Sequence, residues 1–282
     1  MKIYITGANG FVGKNLIRRL DESGFDAWAV VRTKSSRIKE VILDLNSCSE
    51  KEMLEKFNSA DCIVHLAANA DFRNVFGKEV YEVNCLVNLA MANICKKLNV
   101  HFIFASNALI AGMNEEHISL KSPDNPGIPY NISKYISEQY IAKQVNNYCI
   151  LRIGGIYGYK GPEHLFLNRA IEKALNTKEI FNIQNDGLGR RNYIYIEDLC
   201  SWIINLIRYK TKGKYLIAGK EILSLKEIFL QMNDILLEGK GQFSLDISTK
   251  GNDQVIETIL PDIKMHDYKM AFIDIKRKAQ SI

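Results

Sequence analysis

The sequence predicts a doubly wound α/β fold, a parallel sheet with helices on both faces, followed by a smaller C-terminal α/β lobe. Three observations carry this expectation. Short runs rich in β-branched and aromatic residues alternate with helical segments as far as the fifth strand, which ends at Ser106. One of them, Asp61-Cys62-Ile63-Val64-His65-Leu66-Ala67-Ala68, is almost continuously apolar, as a strand covered on both faces must be. The first run, Lys2 to Thr6, passes through glycines at 7, 10 and 13 directly into an amphipathic segment.

That segment carries Val12, Leu16, Ile17 and Leu20 at helical spacing and stops at Gly24. In a strand-turn-helix of this kind Gly7 makes the tight turn and Gly10 lets backbone approach a phosphate. Gly13 lets the helix pack closely on the sheet. A pyrophosphate then faces the unpaired N–H groups and positive end of the helix. The rival phosphate loop ending in Gly-Lys-Ser/Thr is excluded, because Ala8 and Asn15 stand where it needs glycine and a hydroxyl.

With Thr6 before it, the Gly-x-x-Gly-x-x-Gly spacing resembles the extended short-chain dehydrogenase/reductase family, which includes nucleotide-sugar epimerases, dehydratases and reductases. The resemblance implies a Rossmann-type domain over residues 1–155. Residues 156–282 would be mainly a substrate-binding lobe, interleaved with the first. It also implies that Gly7, Asn9, Gly10, Phe11, Val12 and Gly13 hold a nicotinamide dinucleotide.

The second strand is expected at Asp26 to Val31. NAD-binding folds commonly end this strand with a carboxylate for the ribose hydroxyls; here Val31 stands there, and Arg32 follows, with Lys34, Ser35, Ser36 and Arg37 close behind. An arginine fork pairs with a 2′-phosphate, so NADP is favoured, with NAD as the alternative. A third strand is read at Glu40 to Leu45, and by resemblance Asp44 and Leu45 border the adenine. The fourth ends in the family's His-Leu-Ala-Ala, with Leu66, Ala67 and Ala68 against the cofactor and His65 a core histidine. The helix from Tyr81 to Lys97 contains Asn84, which matches a family asparagine bracing the active-site strand. Val100 to Ser106 is the fifth strand, so Asn107 falls at its carboxyl end, where such sheets bind ligands.

Tyr130 and Lys134 lie four apart at the start of the next helix and share a face. In the family this pair is the catalytic base and its activator, the lysine also holding the nicotinamide ribose. A free phenol titrates near pH 10, so work at neutrality needs roughly 4 kcal/mol in favour of the phenolate. A lysine ammonium and a positive nicotinamide ring push that way. Aligning Phe102 to Gly112 on the family's Phe-Val-x-x-Ser-Ser run puts Asn107 where a catalytic Ser or Thr normally stands, with Ser106 beside it.

A sixth strand, Tyr148 to Ile153, runs on as Gly154-Gly155-Ile156-Tyr157-Gly158, and Gly155 replaces an asparagine that touches the sugar in the family. Helical segments are expected at Leu165 to Leu175 and Asp198 to Tyr209. The run from Asp186 to Asp198 resembles the family's Arg-Asp-Tyr-Val-Tyr-Val-x-Asp motif. That motif assigns Arg191 to the diphosphate or ribose of a nucleotide sugar, while Arg190 is open to a surface charge pair. Lys214 to Gly219, Ser224 and Glu227 follow the family pattern, and beyond Gly239 the resemblance fades.

Composition narrows the classes further. The net charge of +5 is modest and dispersed, which argues against nucleic acid. Apolar residues make up 47% of the chain, yet no apolar run reaches the roughly 18 residues of a membrane span, and no signal peptide before the first strand is expected. The six cysteines contain no C-x-x-C pair and the histidines no metal-ligand spacing, so reduced thiols in a cytoplasmic protein without metal are expected. Homodimers are usual in such families, but no residue here specifies one.

The resulting expectation is an NAD(P)-dependent oxidoreductase acting on a nucleoside-diphosphate sugar, leaning to reduction of a keto sugar. Dehydration is disfavoured because Ala108 and Leu109 replace the Asp-Glu pair of the family's dehydratases. The alternatives are a C4 epimerase that retains its cofactor and a degenerate dinucleotide-binding regulator.

Overall fold

The computed structural model describes residues 1–35, 37, 39–70, 78–177, 181–258 and 263–281. In chain order the elements begin with β1 (Lys2–Thr6), α1 (Phe11–Glu22), β2 (Asp26–Val31), β3 (Glu40–Ile42), α2 (Glu50–Phe57) and β4 (Cys62–His65). Next come α3 (Lys78–Tyr81), a π-helical turn (Glu82–Leu86), α4 (Val87–Leu98), β5 (His101–Asn107), a 3-10 turn (Ala108–Ala111) and β6 (His117–Ile118). α5 (Pro129–Gln144), β7 (Tyr148–Ile153), β8 (Ile156–Tyr157), α6 (Phe166–Asn176), β9 (Phe181–Ile183), β10 (Arg190–Arg191) and β11 (Ile194–Tyr195) follow. The chain ends with α7 (Ile196–Tyr209), β12 (Gly213–Ile217), β13 (Leu223–Ser224), α8 (Leu225–Leu236), β14 (Phe243–Leu245), β15 (Val255–Ile256) and α9 (Tyr268–Gln280).

Seven strands form one sheet in the order β12-β7-β5-β4-β1-β2-β3. β1 pairs in parallel with both β2 and β4, so the order reverses at β1, the switch point where doubly wound folds bind ligands. The fold is the doubly wound, Rossmann-type α/β architecture expected. The apolar β4 is buried along its whole length. It ends at His65 rather than Ala68, because the Ala67 amide leaves the ladder to donate to Thr6 Oγ1 at 3.2 Å. β3 likewise stops at Ile42, leaving Asp44 in a turn where its Oδ1 accepts from the Asn46 amide.

The chain divides into two compact units. The first comprises Met1–Met113, Pro123–Arg152 and Cys200–Tyr215; the second Asn114–Ser122, Ile153–Leu199 and Leu216–Ile282. The core of the first is built from Tyr4, Phe57, Ile63, Met91, Phe102, Phe104 and Ile150, all almost fully buried. In the second, β8 pairs with β11, β9 with β14 and β6 with β15, all in parallel. Ser224 and Glu227 form a reciprocal cap at the start of α8. The tail that the sequence left unread forms α9, capped by Asp267, which buries Tyr268, Ala271, Phe272 and Ile275.

Candidate active site

In the first unit the β1–α1 turn has the geometry of a dinucleotide cradle. Gly7 adopts φ +66°, and a Cβ there would lie 2.7 Å from the Ala67 nitrogen and the Leu66 carbonyl carbon. A Cβ at Gly13 would collide with the Gly7 carbonyl oxygen and stand 2.8 Å from Ala8 Cα. The Gly10 amide donates to the Gly7 carbonyl at 2.9 Å, closing the turn. Gly10 caps α1 without any side-chain hydrogen bond, and the first turn carries no acidic residue. Open N–H groups at a positive helix end with room for close backbone approach are what a pyrophosphate requires, so these residues fit the group.

Arg32 is exposed beyond β2, and Arg37 reaches back to the Ala8 carbonyl, Nη1 to oxygen 3.5 Å. Ser36, read as part of this basic loop, lies outside the described residues. A carboxylate at the start of β3 binds back to this loop. Glu40 accepts from both the amide and the hydroxyl of Ser35, and these bonds, with Arg37 nearby, lower its pKa. Leu66, Ala67 and Ala68 are partly exposed at the end of β4, and Leu45 packs against the core.

Behind the cradle runs a buried polar chain with one consistent set of hydrogen-bond directions. Asn88 Oδ1 can only accept, so His65 Nε2 carries the proton across their 2.7 Å contact. His65 Nδ1 then accepts from Thr6 Oγ1 at 2.7 Å. Burial holds His65 neutral, with its pKa pushed down to about 3. Asn88 Nδ2 donates onward to Ser137 Oγ at 2.9 Å. Asn84, in the π-helical turn, accepts from the Asn69 amide at 2.8 Å and donates to Ser133 Oγ at 3.3 Å, tying the segment after β4 to α5. A π-helical turn at such a position is a recurrent feature of functional sites.

Tyr130 lies in the first turn of α5, which Pro129 starts at a position where its missing N–H costs nothing. Lys134 is 1% exposed; its Nζ donates to the Ala105 carbonyl at 2.9 Å and lies 5.9 Å from the Tyr130 ring centroid. Without a bound cofactor, burial alone sets the phenol here. Burial raises the Tyr130 pKa to about 12 and lowers that of Lys134 to about 8, because each charged form loses its water.

At the end of β5, Asn107 Oδ1 accepts from the Leu109 amide at 2.9 Å and its Nδ2 donates to Asn131 Oδ1 at 2.9 Å. One N–H of that amide is left over among the described residues. Ser106 donates to Glu138 Oε1 at 2.5 Å. Glu138 escaped the sequence reading, although 130, 134 and 138 lie four apart on one helix face, a spacing that would have found it.

In the second unit Tyr193 covers Gly155; a Cβ there would lie 2.6 Å from Tyr193 Cε1 and closer still to Cδ1. The ring therefore occupies the space a side chain at 155 would need. Arg191 Nη1 donates to the carbonyls of Asn252 at 2.6 Å and Arg190 at 2.8 Å, which fixes its guanidinium. Arg190 pairs with Asp253, Nη2 to Oδ2 2.5 Å, as a surface ion pair. No group of three His, Cys, Asp or Glu side chains among the described residues could hold a metal, and no described helix is long and apolar enough to cross a membrane.

The fold and the cradle define a dinucleotide-binding α/β protein with a tyrosine-lysine pair at the carboxyl end of its sheet. The model of the NAD dependent epimerase/dehydratase family matches residues 3–218, and the chain belongs to that family. A putative UDP-glucose 4-epimerase of Methanocaldococcus jannaschii is 27% identical, the match covering 93% of this chain and 90% of the relative. Among solved structures, a UDP-glucuronic acid 4-epimerase from Bacillus cereus in complex with NAD is 20% identical with a TM-score of 0.83, covering 100% of this chain and 97% of that one. A dTDP-4-dehydrorhamnose reductase from Yersinia enterocolitica is 19% identical with a TM-score of 0.79, covering 99% of each chain. At those identities the two structures speak for the fold alone.

Proposed function

We propose that the protein is an NAD(P)-dependent oxidoreductase of nucleoside-diphosphate sugars and that it reduces a keto sugar with NADPH. The observation that carries the reading is the Asn107 amide. A hydroxyl donates and accepts, and so relays protons between sugar and tyrosine; an amide donates to a carbonyl but does not readily pass protons on. Its oxygen is held by Leu109 and one N–H by Asn131, so the remaining N–H is a fixed donor able to polarise a ketone.

A nicotinamide cofactor, held by the β1–α1 turn, would supply the hydride. Tyr130, with its pKa pushed up to about 12, keeps its proton at neutral pH and can deliver it to the developing alkoxide. Lys134, titrating at about 8, is largely an ammonium at neutral pH and offsets the phenolate that results. Arg191 would hold the diphosphate with the guanidinium nitrogens its carbonyl contacts leave over, and exposed Arg32 would pair with the 2′-phosphate of NADPH. Such an enzyme fits the cytoplasm, where its buried thiols stay reduced.

The second reading is C4 epimerisation with a retained cofactor, favoured by the name of the Methanocaldococcus relative. The deciding assay follows consumption of added NADPH with a 4-keto nucleotide sugar, beside epimerisation of UDP-galactose without added cofactor. NADPH consumption is the expected result. Epimerisation with no net NADPH consumption overturns the choice.

A further inference from the structure

Glu138 is a fully buried carboxylate for which the chemistry above has no use. It lies one helical turn beyond Lys134 and two beyond Tyr130, on the same face of α5. Its Oε1 accepts from Ser106 Oγ at 2.5 Å and from Arg152 Nε at 3.0 Å. Its Oε2 accepts from Arg152 Nη2 and Lys214 Nζ, both at 2.8 Å. Arg152 Nη1 in turn pairs with Asp124 at 2.7 Å. Two carboxylates thus meet two cations, and Ser106 at the end of β5 is bound into the same cluster.

Lys134 has no carboxylate in direct contact among the described residues. Its Nζ donates to the carbonyl of Ala105, the neighbour of Ser106, and stands 4.6 Å from the Phe104 ring centroid. The titratable groups facing it are Tyr130 and Glu138 on α5, Cys85 in the π-helical turn and His65 on β4. Burial keeps the tyrosine and cysteine protonated and the histidine neutral. Glu138 is therefore the one anion of that set.

We propose that Glu138 is a positioning residue for the Tyr130–Lys134 pair. Through Ser106 it fixes the end of β5 whose carbonyl receives the lysine, and its charge keeps that lysine an ammonium. The cluster modulates this field: Lys214 and Arg152 draw on the same carboxylate, so removing either cation leaves more negative potential for Lys134. The inference rests on the reading of Tyr130 and Lys134 as the reacting pair.

The test titrates Lys134 itself, without a substrate. Lysine labelled with 13C at Cε is followed by NMR against pH in the full chain, and the Lys134 resonance is assigned by its loss in Lys134→Arg. The wild-type midpoint is expected at about 8. Glu138→Gln keeps an acceptor for Ser106 but removes the charge, so the midpoint falls by about one pH unit, tenfold less ammonium on the alkaline side. Lys214→Met, at a side chain 30% exposed, moves the midpoint upward. Opposite shifts are the signature, since a merely structural cluster would not produce them. Unmoved midpoints, or shifts in the same direction, overturn the proposal. Should Glu138→Gln fail to fold, the upward shift in Lys214→Met decides alone. A Tyr130→Phe variant that keeps full activity would instead sink the underlying reading, whatever the midpoints do.

Discussion

The chemistry assigned to this chain narrows to a few side chains whose surroundings set what each can do. Tyr130 holds its proton because burial disfavours the phenolate, and a protonated phenol is the acid a ketone reduction needs. Tyr130→Phe is expected to abolish turnover while leaving dinucleotide binding nearly intact, since the ring still fills its space. Steady-state rates and a cofactor titration check this, and wild-type turnover would remove Tyr130 from the mechanism. Arg32 carries the second prediction. Its exposed guanidinium should prefer NADP(H) over NAD(H) by roughly 1.5–3 kcal/mol, the worth of one charge-assisted contact. Glu40, paired with Ser35 in the same loop, works against the upper end of that range. Equal affinities, or a preference unaffected by Arg32→Ala, would refute it.

Single elements carry the next constraints. The β1–α1 turn tolerates no side chain at Gly13, where backbone of Gly7 and Ala8 stands in the way. Gly13→Ala is expected to destabilise the protein by about 1–3 kcal/mol and to weaken dinucleotide binding, as read by chemical denaturation and calorimetry. The chain from Thr6 through His65 and Asn88 to Ser137 joins β1, β4, α4 and α5, and it makes stability depend on pH. His65 titrates at about 3 when folded and near 6.5 when unfolded, so between these values the unfolded chain binds the extra proton. The stabilisation is therefore complete above about pH 6.5 and is lost as pH falls toward 3. Denaturation midpoints of His65→Gln should fall less steeply between pH 6 and pH 4 than those of the wild type. Parallel curves would show that another group governs acid unfolding.

At the scale of the whole molecule, two compact units are each assembled from three separate stretches of chain. Arg191, in the second, is fixed by backbone carbonyls rather than by a carboxylate, so its charge stays available to an anion. Arg191→Ala is expected to weaken nucleotide-sugar binding, with dinucleotide affinity unchanged because the cradle belongs to the first unit. Calorimetry with each ligand tests this, and unaltered nucleotide-sugar affinity would disprove the assignment.

The sequence alone was enough for the fold class, the order of the main strands and helices, the glycine cradle and the Tyr130–Lys134 spacing. These features are local: a period of two or 3.6, a glycine where backbone must bend, a pair four apart on a helix. Strand ends such as Ile42 and His65 were not legible, because they depend on which partner a backbone amide finds across the fold. The ring of Tyr193 over Gly155, 38 residues away in sequence, was equally out of reach. So were the cluster of Asp124, Glu138, Arg152 and Lys214 and the upward shift of the phenol. Only the tertiary structure decided these, since burial, and with it the balance between desolvation and charge, exists only once distant segments have packed together.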